Sequence, residues 1–181
     1  MSVNRIFLIG YMGSGKSSVG RLLATKLNWQ FIDLDLFIEN RYRKSVSLIF
    51  SESGEMAFRE MEQNMLREVA LFEQAVISTG GGAPCFHNNM TLMKQSGITV
   101  YLKVPISKLT NRLDTSKQNR PLIKNKTKEE LAAFITENLK VRETFYNEAD
   151  LVFDTEKIQP LTNQDDIATR LAHDLKAKIK Y

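Results

Sequence analysis

Five short runs of apolar, mostly β-branched or aromatic residues recur along the chain, at positions 3–9 (interrupted by Asn4 and Arg5), 30–34, 75–79, 98–104 and 150–153. Continuous apolar runs of this length suit strands covered on both faces. Between them the apolar positions fall three and four apart: Val19, Leu22, Leu23 and Leu27, then Phe58, Met61, Met65, Val69 and Phe72, and later Ile167, Leu171, Leu175 and Ile179. That spacing predicts amphipathic helices. Strands that alternate with helices imply parallel pairing through crossovers. The expected fold is therefore α/β, three layers, with one five-stranded parallel sheet and helices on both faces. There is no repeat and no low-complexity segment, and residues 1–181 read as a single domain.

One stretch departs from the pattern. Residues 114–128, DTSKQNRPLIKNKTK, are polar and basic with almost no apolar periodicity. They separate a helix expected to begin near Pro105 from another at 129–145. The stretch is too long for a routine connection, so it is a functional loop or a disordered one.

Composition narrows the class further. The 181 residues are 43% hydrophobic and 25% charged, ordinary for a soluble globular protein. No apolar run approaches the roughly 20 residues that a bilayer span needs. The first residues carry no signal-peptide pattern, and the single cysteine, Cys85, cannot form an internal disulfide, so a reducing, cytoplasmic setting is expected. The net charge of +4 comes from mixed signs without a run of five basic residues. A small anionic ligand accounts for it as well as nucleic acid does. His87 and His173 have no partner at ligand spacing, and Cys85 reads as a small hydrophobe.

The most informative break follows the first run. Gly10-Tyr-Met-Gly-Ser-Gly15-Lys16-Ser17 fits Gly-x-x-x-x-Gly-Lys-Ser/Thr between a strand and a helix. Its glycines let the backbone turn its N–H groups inward, and the next helix brings its positive end to the same point. Gly13, Ser14, Gly15, Lys16, Ser17 and Ser18 are thus the expected phosphate cradle. Lys16 can reach the terminal phosphates and the Ser17 hydroxyl can ligate magnesium. A nucleoside triphosphate with Mg2+ is the expected ligand. The Asn-Lys-x-Asp guanine signal of regulatory GTPases is missing, since Asn125-Lys-Thr-Lys128 lacks the aspartate. Small-molecule kinases need a closing segment to exclude water, and 114–128 is a candidate lid.

Further chemistry gathers at strand ends. Asp33 and Asp35 close the second run, where two-residue spacing in extended chain puts both carboxylates on one side, suited to a hydrated magnesium and a substrate hydroxyl. The competing reading is a helix N-cap at Asp35 before LFIENRY. Arg59, in FREME, reads on its own as a solvated helix residue. Three glycines straight after a strand, in STGGGAP at 78–84, invite close approach of a ligand to backbone.

Taken together, the GYMGSGKSS loop, DLD followed by FIE, IF…GE…FRE.E, STGGGA, NRPL and R…FY resemble the shikimate kinase family over nearly the whole chain. The resemblance implies a P-loop kinase fold with a mobile lid at about 112–126, a substrate-binding region at about 33–61, and transfer of the ATP γ-phosphate to the 3-hydroxyl of shikimate in aromatic biosynthesis. It implies Asp33 beside the hydrated magnesium, Asp35 on the substrate hydroxyls, and Arg59 and Arg142 on the substrate carboxylate. Gly81 would donate its N–H to substrate, and Arg120 would reach the ATP phosphates from the lid. Arg112 and the loop 155–160, near Ile158, would hold adenine. Shikimate is then the expected partner, with no nucleic acid or membrane, and the chain is expected to be a monomer. Family members often carry glycine where this chain has Arg43, so that turn is expected to be shaped differently. A gluconate kinase-like enzyme would share Lys16 with no reason to keep Arg59, Gly80–Gly82 and Arg142. A silent nucleotide-binding regulator would be expected to have lost Lys16, Asp35 or Arg120.

Overall fold

Arg5, the charge that interrupts the first apolar run, begins β1 (Arg5–Ile9) and turns its side chain under the sheet. Its Nε donates to the Phe72 carbonyl at 2.6 Å, Nη1 to that of Ser96 at 3.0 Å and Nη2 to that of Leu71 at 3.3 Å. The rest of β1, Ile6 to Ile9, has no exposed surface. The computed structural model describes residues 4–116, 123–157 and 163–179. Its other strands are β2 (Gln30–Asp33), β3 (Ala75–Ser78), β4 (Ile98–Lys103) and β5 (Leu151–Asp154), within a residue or two of the runs that predicted them.

The five strands form one parallel sheet in the order β2-β3-β1-β4-β5. The helices are α1 (Lys16–Leu27), α2 (Leu34–Tyr42), α3 (Val46–Val69), α4 (Asn89–Ser96), α5 (Ile106–Ser116), α6 (Lys128–Tyr146) and α7 (Gln164–Leu175). From β1 the chain crosses outward to β2, and from β3 it crosses the opposite way to β4. Right-handed crossovers then place α1 and α4 on opposite faces. In agreement, α1 packs on β1, β2 and β3 and carries α7, while α4 packs on β4 and touches α3. The two crossovers diverge from neighbouring strands, so a crevice opens beyond the C-terminal ends of β1 and β3. No helix among the described residues is long and apolar enough to cross a membrane.

Local chemistry sets the helix starts. Thr127 with Glu130, and Asn163 with Asp166, form capping boxes that open α6 and α7. Four features differ from the sequence expectations. The polar stretch that was to begin at 114 starts inside α5, because Leu113 anchors the last turn in the core and carries Asp114, Thr115 and Ser116 with it. The helix holding Phe58 begins already at Val46 and is broken at Gly54 (φ 78°, ψ 173°). Helix α4 has only eight residues, with Met90, Leu92 and Met93 as its apolar positions, too brief to give a periodic signal. Arg43 takes the left-handed conformation (φ 56°, ψ 31°) at the end of α2, so the turn keeps the shape that a glycine gives, at about 1–2 kcal/mol.

Arg5 generates a stability prediction. Arg5→Met should lower the unfolding free energy by about 1.5–3 kcal/mol, the range for hydrogen bonds to a charged group, as measured by urea denaturation. An unchanged midpoint would mean that the three carbonyls are satisfied equally well by water.

Candidate active site

The crevice is built from the loop after β1, the start of α2, the second half of α3, the glycine loop after β3 and the inner side of α6. After β1, Gly15 sits in the left-handed region (φ 96°) as the N-cap of α1, which lets the chain double back and enter the helix at Lys16. Lys16 is buried, and its Nζ donates to the carbonyls of Gly10 (2.8 Å) and Tyr11 (3.0 Å) across the loop. Ser14 is also buried, with its Oγ lacking a partner among the described residues, and Ser18 is exposed at the open helix end. Arg112, on α5, braces the loop by donating from Nη1 to the carbonyls of Gly13 (3.1 Å) and Ser14 (3.2 Å).

Asp33 corrects the expectation of two aspartates in extended chain. Strand β2 ends at Asp33 and α2 begins at Leu34, so Asp33 is the N-cap and Asp35 lies in the first helical turn. Asp33 Oδ1 accepts from the backbone N–H groups of Asp35 (3.2 Å) and Leu36 (3.4 Å). Its Oδ2 accepts from Ser17 Oγ at 2.6 Å. Ser78 Oγ stands 3.4 Å from the same hydroxyl. This oxygen set fits magnesium, which binds through one or two protein oxygens and keeps much of its water. Among the described residues no cluster of three or more His, Cys, Asp or Glu forms a metal cage.

Of the three glycines after β3, Gly80 and Gly82 are packed against charges and Gly81 against the P-loop backbone of Met12 and Gly10. A Cβ at Gly80 would stand 2.9 Å from Asp35 Oδ1 and 3.0 Å from Glu62 Oε1. A Cβ at Gly81 would lie 3.6 Å from Arg142 Nη1, and one at Gly82 only 2.5 Å from Arg59 Nη2. Asp35, Arg59, Gly81 and Arg142 therefore converge on one short loop. Arg59 is not a solvated helix residue: its side chain is 10% exposed, and Nη1 donates at 2.8 Å to Glu62 Oε2, itself 1% exposed. The guanidinium lies 4.1 Å from the Phe86 ring centroid and 5.2 Å from that of Phe58. Arg142 lies over the Tyr11 ring at 5.4 Å. One turn further along α6, Tyr146 donates its hydroxyl to the Gly81 carbonyl and fixes the loop.

Burial dominates the electrostatics here. It raises the Asp35 carboxyl above its ordinary value, with Asp33 adding to the rise while Lys16 and Arg59 oppose it. It pushes Glu62 up to about 7 against the pull of Arg59. The Cys85 thiol, beside the loop, is pushed up to about 11, which leaves it a poor nucleophile. Arg120 and Ile158 lie outside the described residues.

Comparison with known proteins decides the family. A family model described as shikimate kinase matches residues 12–176. The chain belongs to the shikimate kinase family. A shikimate kinase of Parabacteroides distasonis is 53% identical over 169 residues, covering 93% of this chain and 98% of that protein. The crystal structure of shikimate kinase from Bacteroides thetaiotaomicron superposes with a TM-score of 0.89 at 46% identity, covering 97% of this chain and 99% of that one. Shikimate kinase from Acinetobacter baumannii, solved in complex with shikimate, has a TM-score of 0.84 at 34% identity and covers 98% and 96%.

Sequence reasoning passed over Glu62 and Tyr146 as site residues. The signals were present, since Glu62 follows Arg59 by three residues and Tyr146 follows Arg142 by four, each one turn along its helix. Glu62 yields a pH prediction. A carboxyl raised from 4.5 to about 7 binds more protons in the folded state, so its contribution to stability falls as pH rises through that window. The unfolding free energy of the parent minus that of Glu62→Gln should therefore decline between pH 4.5 and 7 and be flat outside it. Urea titrations at several pH values measure this, and a rising difference would reverse the assignment.

Proposed function

We propose that this chain transfers the γ-phosphoryl group of ATP to the 3-hydroxyl of shikimate, giving shikimate 3-phosphate and ADP, as a step in aromatic amino-acid biosynthesis. The observation that carries the reading is the placement of Arg59 and Arg142 at the two sides of Gly81 and Gly82, beside the P-loop. Two planar guanidinium groups around a side-chain-free backbone suit a carboxylate on a small ring, because each can donate parallel hydrogen bonds. The shikimate complex of the Acinetobacter baumannii relative supports the choice of acid.

Phosphoryl transfer passes through a loose transition state, so positioning and charge neutralisation do most of the catalysis. We assign Lys16 to the terminal phosphates. Its present hold on the Gly10 and Tyr11 carbonyls keeps the ammonium inside the cradle formed by Gly13, Ser14, Gly15, Ser17 and Ser18. Ser17 and Asp33 would hold Mg2+, which when bound supplies charge neutralisation between the phosphates. Asp35 is assigned to the substrate hydroxyls as orienting group and proton acceptor, and its raised pKa suits that part. Gly81 is assigned a backbone contact to substrate. Arg112, braced against the loop, belongs to the adenine side with Ile158, and Arg120 is assigned to the phosphates from the lid.

The test of substrate class is coupled ADP release across shikimate, quinate, gluconate and nucleoside monophosphates. Shikimate should be turned over with the highest kcat/KM, and preference for gluconate or a nucleotide would overturn the assignment. The clamp is tested separately. Arg59→Ala and Arg142→Ala should each cost about 2–5 kcal/mol in substrate recognition, with ATP affinity almost unchanged. Variants that still distinguish the acid from its reduced alcohol as the parent does would rule the clamp out.

A further inference from the structure

Arg59 carries two carboxylates of opposite character. Glu62 holds Nη1 at 2.8 Å from a position 1% exposed. Glu55 reaches Nη2 at 3.1 Å from a position 58% exposed. The third donor, Nε–H, is buried and has no acceptor among the described residues. Nε and Nη2 form the side-on fork of a guanidinium, the edge that receives a carboxylate through two parallel bonds. Glu55 thus occupies half of that fork through one oxygen and leaves the other half unanswered.

We propose that Glu55 is a substrate-displaced counter-ion: it occupies the carboxylate-accepting edge of Arg59 in the empty site and yields it to the acid. The proposal rests on the reading that Arg59 receives the substrate carboxylate. Its physical basis is the contrast between the two partners. Removing Glu62 would leave a buried cation uncompensated. Glu55 can return to water more readily, because its own carboxylate is already 58% exposed and the incoming acid takes over its bond to Nη2. Its place in the chain makes the exchange easier. Glu55 follows Gly54, whose φ of 78° and ψ of 173° interrupt α3 and whose Cα has open space around it. The residue therefore opens the second helical stretch, where a released carboxylate stays close to the positive helix end. A ligand that uses this edge must displace Glu55 from Nη2. Single-contact anions gain least from displacing it, and a planar carboxylate that completes both bonds gains most. Glu55 in this way reduces the apparent affinity of every fork-binding acid by the fraction of time that it holds the fork.

The test is isothermal titration of shikimate without nucleotide on the parent, Glu55→Gln and Glu55→Asp, with melting curves to confirm folding. Loss of the competing contact should lower the dissociation constant about two- to fivefold in both variants. Glu55→Asp is decisive, because it keeps the negative charge and shortens the reach. Tightening in Glu55→Gln alone would show a general field effect and overturn the proposal, as would unchanged or weaker binding in both. Glu62→Gln, in contrast, should weaken binding, so the two carboxylates on one guanidinium act with opposite sign. Titration with acetate followed by NMR separates this claim from the functional reading. If the parent fails to bind shikimate, the functional reading falls, and acetate binding to the same three proteins still decides Glu55. Tighter acetate binding in both variants supports displacement, and equal binding in all three proteins excludes it.

Discussion

A guanidinium removed from water must be answered by negative charge and by flat surfaces, and Arg59 organises this end of the molecule around that requirement. Glu62 supplies the charge from the next turn of α3, and Phe86 and Phe58 supply the ring faces. The demand then spreads to the backbone. The loop after β3 passes so close to Arg59 that Gly82 has no room for a side chain, and Gly80 is hemmed in by the Asp35 and Glu62 carboxylates. Burying so many charges costs stability, visible in the raised pKa values of Asp35 and Glu62. What is gained is a guanidinium whose position is fixed by Glu62 and the ring faces before any ligand arrives.

The sheet order explains why the P-loop and the glycine loop beside Arg59 share one crevice. Strands β1 and β3 are hydrogen-bonded neighbours, with Leu8 in register with Ser78. The loops that follow them must therefore emerge side by side, the P-loop from one and the glycine loop from the other. Helix α6 closes the third side through Arg142 and Tyr146, and its tyrosine bonds the Gly81 carbonyl. On the proposed assignment, the phosphoryl donor and acceptor would be held by loops from adjacent strands of the core, where ångström-scale placement is easiest to maintain.

Much of this was legible in the sequence, for definable reasons. Buried parallel strands leave continuous apolar runs, so all five were found within a residue or two. The P-loop could be read because its backbone conformation demands glycine at fixed offsets. Arg59 and Arg142 were named only through family resemblance, since a lone arginine on a helix carries no mark of burial. Glu62 and Tyr146 were missed because their roles arise from partners that the fold brings in. Glu62 matters because α3 turns it under Gly80, and Tyr146 because the Gly81 carbonyl lies 65 residues away in sequence. The start of α2 was misplaced by two residues, since DLDLF is equally compatible with a strand ending at either aspartate. Only the amides of Asp35 and Leu36, bonded to Asp33, settle the matter.

That cap narrows the residue alphabet at position 33. One oxygen of Asp33 caps the start of α2 through two backbone amides, and the other accepts from the Ser17 hydroxyl. Asparagine could cap the helix, but it has a single acceptor oxygen and would present an amide to Ser17. Serine and threonine cap as well, yet offer one oxygen on a shorter arm. Glutamate has both oxygens but extends one methylene too far for the tight cap geometry. Aspartate alone among the common side chains combines two equivalent acceptors with the right reach. Position 33 is therefore frozen by two unrelated demands at once, and drift at either end of the junction, in Ser17 or in the first turn of α2, must keep to what this one carboxylate can satisfy.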